Sequence, residues 1–437
     1  MLRLARILLA MALATSAFAQ QEVNATVTGG VVKPLVVAAP ALYPETADAT
    51  LMGRDIMQVV HDDLQGTGLF YVIPDDKLIS EIGPFDQAVT YNDWKGNSIE
   101  VLVKGSLERN GSGAIRVRFR AYDIIAGTEL GEGLQFTGEA KDWRRMGHKI
   151  ADAIYSQITG EGPYFDSKIV FVAEKGPKED RKKAIAIMDY DGADLRYLTT
   201  GRDLVISPHF AANARDVIFT SYASGSPQVA MMNSQTGELS VIDELEGLAF
   251  SPRMSPDGKS VLASRVDASG NTDIYQIDLG TGLQSRLTED PAIDTSPSFS
   301  PDGLHFAFES NQTGEQQIFI MPTTGGEAVQ ISKGEGRYAT PVWSPKGDLI
   351  AFTKIVDGNF HIGVMNIDGT GERILTQSFI DEAPSWAPNG RALVFFRETP
   401  GEEGSPKLFS ISLTGQNMIA IVTPEFASDP SWSGILN

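Results

Sequence analysis

One proline-centred phrase returns six times in the second half of this 437-residue chain. A small or short polar residue precedes each proline, an aromatic or large apolar residue stands two positions after it, and a Ser-Pro-x-Gly turn often follows. The copies begin at Ser207-Pro208, Ser251-Pro252, Ser296-Pro297, Thr340-Pro341, Ala383-Pro384 and Asp429-Pro430. Successive prolines are 44, 45, 44, 43 and 46 residues apart. A fixed period in the forties with strand patterns is typical of a β-propeller, in which each period forms a four-stranded blade.

The repeat predicts a mainly β fold, with a C-terminal six-bladed β-propeller over residues 163–437 that follows a small α/β domain. Pro297 is expected to begin an innermost strand, because proline is tolerated at the start of a strand. The first blade has patterns for its second, third and fourth strands but lacks an innermost one. The sixth phrase stands at the C-terminus, so residues 429–433 are expected to complete that blade and close the ring.

The N-terminus has the parts of a secretory signal peptide over residues 1–19. Arg3 and Arg6 precede an apolar run over residues 7–14, and an Ala-Phe-Ala cleavage site follows. The run is too short to cross a bilayer, and no later stretch approaches the roughly 18 apolar residues of a membrane helix. The mature chain is expected to begin at Gln20 and to reside in a bacterial periplasm.

Residues 34–162 are predicted to form a small α/β domain, preceded by an N-terminal strand within residues 20–33. Apolar residues at helical spacing predict one helix that ends at Gly66 and another that ends near Gly160. Strand patterns cover residues 35–39, 69–73, 101–107 and 115–120. Strands mixed with helices of this length predict an α/β arrangement.

Charge and cysteine content exclude several classes of function. The formal charge is −20, which becomes −22 when Arg3 and Arg6 leave with the leader (−20 − 2). Nucleic acids and anionic lipids require clustered Lys and Arg, so neither nucleic-acid binding nor direct membrane insertion is expected. The absence of cysteine excludes a disulfide scaffold and a lipid-modified N-terminus. A monomer is expected.

Catalytic constellations are missing from the sequence. The five histidines are scattered, without an H-E-x-x-H pair, and no serine stands in G-x-S-x-G. Gly-rich phosphate loops are absent, and the α/β segment is too short for a hydrolase fold. The chain is therefore predicted to be no enzyme, with no cofactor and no metal site.

Three repeated features permit a functional interpretation beside a structural one. Recurrent Asp-Gly pairs could ligate Ca²⁺, but they are better explained as turns, and a cation in the central channel stays open. The aromatic two residues after each proline is expected to pack between blades rather than to stack on a ligand. Arg116, Arg118 and Arg120 alternate along one strand, which indicates a solvated face in preference to a site for an acidic partner.

The whole mature chain resembles the TolB family of the Tol-Pal system of Gram-negative bacteria. The resemblance rests on residues 63–70, Asp-Leu-Gln-Gly-Thr-Gly-Leu-Phe, on the Ser-Pro-Asp-Gly repeats, and on residues 379–385, Phe-Ile-Asp-Glu-Ala-Pro-Ser. It implies a non-enzymatic periplasmic adaptor that supports outer-membrane integrity and cell division. The implied partners are the lipoprotein Pal and the inner-membrane arm TolA, with other outer-membrane or periplasmic proteins as further candidates.

The resemblance also implies where partners bind. Loops entering the innermost strands bind Pal in this family, and alignment on the prolines places Leu248, Ser251 and Thr295 at contact positions. Neighbouring candidates on the same edge are Asp294, Thr340, Asp381 and Glu382. The resemblance makes residues 20–33 an N-terminal partner-binding strand. TolA is expected to engage its residues Glu22, Val23, Asn24, Ala25, Thr26, Val27 and Thr28, whose alternation suits strand addition or a plain first strand.

The chain departs from the family pattern at two places. Leu248 stands where the family often has His. Residues 211–214, Ala-Ala-Asn-Ala, replace Ser-Pro-x-Gly in the first copy, so that turn is expected to differ in shape. The alternative function is an exported propeller enzyme or lectin that binds a peptide or glycan in the channel.

Overall fold

The computed structural model describes residues 33–78, 80–95, 98–111, 113–242, 248–401 and 404–436. The predicted signal peptide and the TolA-binding candidates Glu22 to Thr28 lie outside these ranges. The architecture is mainly β and propeller-like, with few helices, and it has an α/β part and a propeller part. The α/β part contains the first six strands and the three α-helices, and the propeller part contains the remaining strands.

Six strands of the α/β part form one sheet: β1 (Leu35–Ala38), β2 (Tyr43–Pro44), β3 (Phe70–Val72), β4 (Val101–Arg109), β5 (Ala114–Asp123) and β6 (Thr128–Glu139). Their order is β3-β1-β4-β5-β6, with β2 also paired to β4. The β1 strand runs parallel to β3 and β4, whereas β4, β5 and β6 are antiparallel.

Two long helices cover one face of this sheet, and a single turn of helix packs on the other. The helices are α1 (Thr50–Gly66), α2 (Tyr91–Trp94) and α3 (Trp143–Thr159). Gly147 allows α3 to approach α1 closely, because a Cβ atom there would lie 2.7 Å from the Val59 Cβ. Gly160 ends α3 with a φ of 72°, a left-handed cap that glycine adopts without strain.

The long strand β6 was not predicted from the sequence. Its residues are mostly exposed or half-buried, and it forms the edge of the sheet, where β5 is its one partner among the described strands. Because glycines interrupt its pattern and no face is fully buried, the apolar alternation that marks β5 is absent. The arginines of β5 are paired as a solvated face requires: Arg116 with Glu108, Arg118 with Glu45, and Arg120 with Glu129.

In the propeller part, three consecutive runs of four strands each form a separate antiparallel sheet. The group that begins with β7 contains three consecutive strands, and its fourth strand comes from residues 426–432. The strands up to the third run are β7 (Lys168–Lys175), β8 (Lys182–Asp189), β9 (Arg196–Tyr197), β10 (Val205–Phe210), β11 (Asp216–Ser221), β12 (Gln228–Asn233), β13 (Leu239–Val241), β14 (Leu248–Met254), β15 (Ser260–Val266), β16 (Thr272–Asp278), β17 (Gln284–Arg286), β18 (Asp294–Phe299), β19 (His305–Ser310), β20 (Gln317–Pro322) and β21 (Val329–Gln330).

The next eight strands form one sheet made of two four-strand groups, which a single parallel bridge between Phe360 and Ile380 joins. They are β22 (Arg337–Trp343), β23 (Leu349–Val356), β24 (Asn359–Asn366), β25 (Arg373–Ile374), β26 (Ile380–Trp386), β27 (Ala392–Glu398), β28 (Pro406–Ser412) and β29 (Ile419–Ile421). The last strand, β30 (Phe426–Trp432), pairs antiparallel with β7, so one sheet has the order β30-β7-β8-β9.

Every innermost strand contains a β-bulge at the residue before its repeated proline. The φ angles of these residues lie between 47° and 54°, in the left-handed region. At the same points the pairing register with the second strand shifts. The prediction that Pro297 begins a strand is therefore wrong, because β18 starts at Asp294 and the proline lies inside it. A bulge tolerates proline, since the ladder hydrogen bonds are already interrupted there.

The turn in the first copy of the repeat keeps the geometry of the others, contrary to expectation. The Ala214 amide donates to the Ala211 carbonyl at 3.0 Å, as the Gly303 amide donates to the Ser300 carbonyl at 2.9 Å. Ala214 adopts a φ of 53° to achieve this, where the other copy has glycine at 72°. The repeated aromatics pack between blades: Trp343, Trp386 and Trp432 are buried.

Candidate partner-binding rim and the polar groups behind it

The four residues before each repeated proline form a common edge, which we call the rim. It consists of residues 204–207, 248–251, 293–296, 337–340, 380–383 and 426–429. Because the six innermost strands share one register relative to their bulges, equivalent rim residues occupy equivalent places around the propeller part. All seven residues predicted to contact Pal belong to the rim, but the structure gives them different surroundings.

Leu248 is one member of a periodic set of large apolar residues. It is 43% exposed, and at the equivalent positions Leu204 and Ile293 are 43% and 49% exposed. Ile380 and Phe426 occupy the same position half-buried, and Arg337 is the exception. Exposed apolar side chains grouped within a polar surface are typical of a protein-binding site. Of this apolar set, Leu248 was the one residue predicted from the sequence, although the repeat shows a large residue four positions before each proline.

Ser251 and Thr340 are bulge residues whose backbone amides are tied to the preceding blade. The Ser251 amide donates to the Thr220 hydroxyl at 3.2 Å, and the Thr340 amide donates to Glu309 Oε2 at 2.9 Å. Their side chains remain half-buried. The backbone amides of these two residues therefore connect neighbouring blades, independently of any contact with a partner.

Thr295 lies beside the same carboxylate. Its hydroxyl donates a hydrogen bond to Glu309 Oε1, and the Ser296 hydroxyl donates to that oxygen at 3.3 Å. Glu309 thus accepts bonds from two consecutive innermost strands. It is only 7% exposed and was not identified from the sequence.

Asp294 and Asp381 are completely buried, so neither carboxylate faces solvent. Asp381 accepts two hydrogen bonds from the Arg397 guanidinium, at 2.6 and 2.8 Å. Asp294 has no such arginine, and neither of its oxygens accepts a bond of ordinary geometry from the described residues. Burial raises the pKa of Asp294 to about 6, and the nearby Ser310 and Thr288 hydroxyls offset part of that rise. The side chains of both aspartates are therefore withdrawn from the surface of the rim.

Glu382 and Arg253 are charged side chains of innermost strands whose pKa values shift on burial. Burial raises the pKa of Glu382 to about 7, and the negative charges of Asp429 and Glu309 contribute. Burial lowers the pKa of Arg253 to about 9, and Asp429 offsets part of that fall. Asp429 of β30 therefore acts on Glu382 of β26 and on Arg253 of β14.

Two neighbouring grooves have volumes of about 540 and 560 Å³. Both are lined by Arg286, Glu289 and Asp290, and Ile293 of the rim lines the second. The grooves are mainly polar and carry no catalytic arrangement among their lining residues.

Among the described residues, one group of three side chains has the composition of a metal site. Asp63, His148 and Asp191 place one potential ligand atom each within 4.8 Å of one another. However, both oxygens of Asp63 already interact, with His148 and with the Tyr190 hydroxyl. Asp191 pairs with the Arg144 guanidinium. A cation would have to displace a proton and compete with an arginine, so we assign no ion to this group.

The helices within the described ranges include none that is long and apolar enough to cross a membrane.

Comparison with known proteins agrees with the two parts of the structure. The TolB beta propeller domain matches residues 155–436, and the TolB amino-terminal domain matches residues 23–130. A Tol-Pal system protein TolB from Dinoroseobacter shibae is 50% identical over 412 residues, which cover 94% of this chain and 92% of that protein. A protein of the same name from a Ruegeria species is 47% identical over 431 residues, 98% of each chain.

A solved structure has the same fold over nearly the whole length. The crystal structure of TolB from Acinetobacter baumannii superimposes with a TM-score of 0.80 at 26% identity, covering 92% of this chain and 97% of the other. The match to the propeller family spans more than half of the chain, and the two relatives are similar to it over almost all of it. The chain therefore belongs to the TolB family and, like these Tol-Pal relatives, is not an enzyme.

Proposed function

We propose that this chain is a periplasmic adaptor of the Tol-Pal system that binds Pal through the rim and TolA through residues 22–28. In this role it supports outer-membrane integrity and cell division. The observation that carries the proposal is the set of exposed apolar residues at one position of the rim, with Leu204, Leu248 and Ile293 at its centre. The relatives named Tol-Pal system proteins supply the class of partner.

We also infer that the ring has six blades. The two groups in the eight-stranded sheet repeat the strand order of the separate sheets, and a single bridge joins them. The signal-peptide pattern and the family together support a periplasmic location.

The rim suits a protein partner because its backbone is fixed before binding. Each bulge residue is constrained by the proline that follows, and side chains of the preceding blade hold several of the bulge amides, including those of Ser251 and Thr340. A surface that is ordered in advance loses little conformational entropy on association. The apolar side chains would then be displayed at fixed spacing around the edge.

The Pal contact is tested by calorimetry with the soluble domain of Pal from the same organism. Leu248→Glu introduces a charge into the apolar set, and we expect at least a roughly tenfold loss of affinity, equivalent to about 1.4 kcal/mol. Leu283→Glu is the matched control, because Leu283 is 67% exposed but lies outside the rim. Absence of binding by the unchanged protein, or equal affinities of the two variants, would contradict the assignment.

The TolA contact is tested by deleting residues 20–28 from the mature chain. We expect the deletion to abolish capture of TolA while the protein stays folded. A simultaneous change in Pal affinity would show that the two sites are coupled. Unchanged Pal affinity would make the segment a simple tether, and retained TolA binding would overturn its role.

A further inference from the structure

The α/β part and the propeller part share a buried carboxylate. Asp63, on α1, and His148, on α3, are each 1% exposed. His148 Nδ1 lies 2.7 Å from Asp63 Oδ2. The hydroxyl of Tyr190, in the turn after β8, donates to the other oxygen of Asp63 at 2.6 Å. One carboxylate is thus held by the α/β part on one side and by the propeller part on the other.

Aromatic rings enclose this contact. Tyr190 meets the His148 ring edge-on at 5.5 Å and stacks on Trp432 at 6.1 Å. Tyr164 and Phe165, in the segment between the two parts, pack against Tyr190 as well. The rings exclude water, so a change of charge inside the contact has a larger energetic effect than it would have at the surface.

The His148 ring has one unpaired nitrogen. No described residue forms a hydrogen bond with His148 Nε2, although that atom is buried. Asp63 is therefore the hydrogen-bond partner of the ring among the described residues: Nδ1 donates to Oδ2 in either charge state, and a second proton on Nε2 makes the ring a cation that offsets the charge of Asp63.

Other charged groups face this contact from each neighbouring element. On α3, Arg144 pairs with Asp191 and approaches Asp189, and the Asp152 carboxylate acts on Asp63. The last residue of β8, Asp189, and Asp191 in the turn after it act on His148, and Lys168 of β7 pairs with Asp189. Two of these three acids are thus paired with basic residues, and the charge of His148 is the one that offsets Asp63 directly.

We propose that Asp63, His148 and Tyr190 form a proton-dependent latch that holds the α/β part against the propeller part. While His148 carries protons on both ring nitrogens, its positive charge offsets that of Asp63, which accepts from Nδ1 and from the Tyr190 hydroxyl, and the junction is closed. Loss of the Nε2 proton leaves the buried Asp63 carboxylate beside a neutral ring without a counter-charge, and the junction opens more often.

The direction of the pH effect follows from His148. Burial lowers the pKa of His148, but the charge of Asp63, together with Asp191 and Asp189, raises it by more, so it lies above 6.5. The folded protein therefore binds the His148 proton more tightly than the unfolded chain does. This stabilising contribution is complete below pH 6.5 and is lost as pH rises through the folded pKa of His148. Burial also raises the pKa of Asp63 from its ordinary 3.8, and the contribution of that group is complete only below pH 3.8.

Hydrogen exchange on the mature chain tests the latch. The amides of Tyr164, Phe165 and Asp166 donate to Asp152 at the junction and report its opening. After correction for intrinsic rates, we expect their protection to fall roughly tenfold between pH 6 and pH 9. His148→Gln keeps a donor for Asp63 but cannot titrate, so it should remove this dependence. His305→Gln is the control, because His305 is exposed on β19.

Two results would overturn the latch: protection that does not change with pH, or a His148→Gln protein that keeps the dependence of the unchanged chain. If His148→Gln does not fold, the ring of His148 is titrated by nuclear magnetic resonance in the unchanged protein. A His148 pKa above that of His305, with loss of protection in the same pH range, supports the proposal. A pKa equal to or below that of His305 contradicts it.

Discussion

At the residue scale, the repeat depends on left-handed backbone at residues that are not glycine. Ser207, Ser251, Ser296, Thr340, Ala383 and Asp429 all adopt this conformation. A side chain in that region costs roughly 1–2 kcal/mol relative to the right-handed form. The bulge compensates by fixing the strand in position and by directing amides at side chains of the preceding blade. The turn at Ala214 has the same backbone strain without such a compensation.

Replacing Ala214 with glycine should stabilise the protein. Glycine removes the energetic cost of the left-handed conformation. It also gives the unfolded chain more conformational freedom, which offsets part of this stabilisation. We expect a net increase of about 0.5–1 kcal/mol in the free energy of unfolding, measured by urea denaturation.

Gly258→Ala is the reverse experiment at the equivalent turn of the next copy. Gly258 has a φ of 71°, and an added Cβ would meet no atom within 4 Å, so backbone strain is the main effect. A loss of about 1 kcal/mol is expected. If both variants moved stability in the same direction, the explanation by backbone conformation would be wrong.

The rim shows what a single sequence can predict about individual residues. The spacing of the prolines was enough to predict that Leu248 and Thr295 lie on one edge. It could not predict that Leu248 is exposed whereas Asp294 and Asp381 are buried. Burial is decided by the second strand of the same blade, where Arg397 faces Asp381 and Ser310 faces Asp294. Such cross-strand neighbours are not apparent from the period of the repeat.

At the scale of elements, neighbouring blades are joined by side chains of their second strands. Thr220 of β11, Ser264 of β15 and Glu309 of β19 occupy equivalent positions, and each accepts a hydrogen bond from the bulge amide of the following blade. Apolar packing alone does not determine how far one blade is shifted along the next, whereas these directional hydrogen bonds define a single alignment of neighbouring blades.

Glu309→Ala should weaken the joint between the blades of β18 and β22. It leaves the Thr340 amide and the Thr295 hydroxyl without their acceptor, and a buried unpaired group costs about 1–3 kcal/mol. Thermal unfolding should show that loss, and Glu309→Gln should show a smaller one. Glu315→Ala, at an exposed turn of the same blade, should leave stability unchanged, and an equal effect of the two alanine variants would refute the role of Glu309.

Elements with strong local patterns were predictable, and those shaped by their surroundings were not. Helix α1 and strand β5 have clean apolar periodicity, so the sequence indicated them. Strand β6 is long but lies at an edge with glycines and acids, so it has no such signal. The position of Pro297 inside β18 depends on a bulge, which only pairing with β19 reveals.

At the scale of the whole molecule, the segment after α3 is attached to the propeller part by charge. Glu161 accepts a hydrogen bond from the Lys346 ammonium at 2.8 Å and another from the Arg391 guanidinium. The bond from Arg391, followed by that from Lys346, lowers the pKa of Glu161 to about 2, against an opposing effect of burial. The Asn389 amide also donates to the Gly162 carbonyl at 3.0 Å.

Glu161→Gln should therefore reduce stability at neutral pH but not in strong acid. A carboxyl group with a lowered pKa stabilises the folded protein above pH 4.5, and this contribution disappears as pH falls towards 2. Because the pair is near the surface, we expect a loss of about 1 kcal/mol at pH 7. Thermal unfolding at pH 7 and pH 3 measures it, with the exposed Glu179→Gln as control. A loss that is the same at both pH values would argue against the ion pair.

The pairing of β30 with β7 determines the order in which this protein is finished. Lys168 and Ser433 are 265 positions apart, yet the Lys168 amide donates to the Ser433 hydroxyl at 2.9 Å. Blades formed within one stretch of chain can fold while synthesis continues. The blade that contains β7 has to wait for residues 426–432, and until they are made β7 presents an unpaired edge. A ribosome that stalls before β30 would thus hold a chain with nearly all its other strands and with β7 still open to a wrong partner.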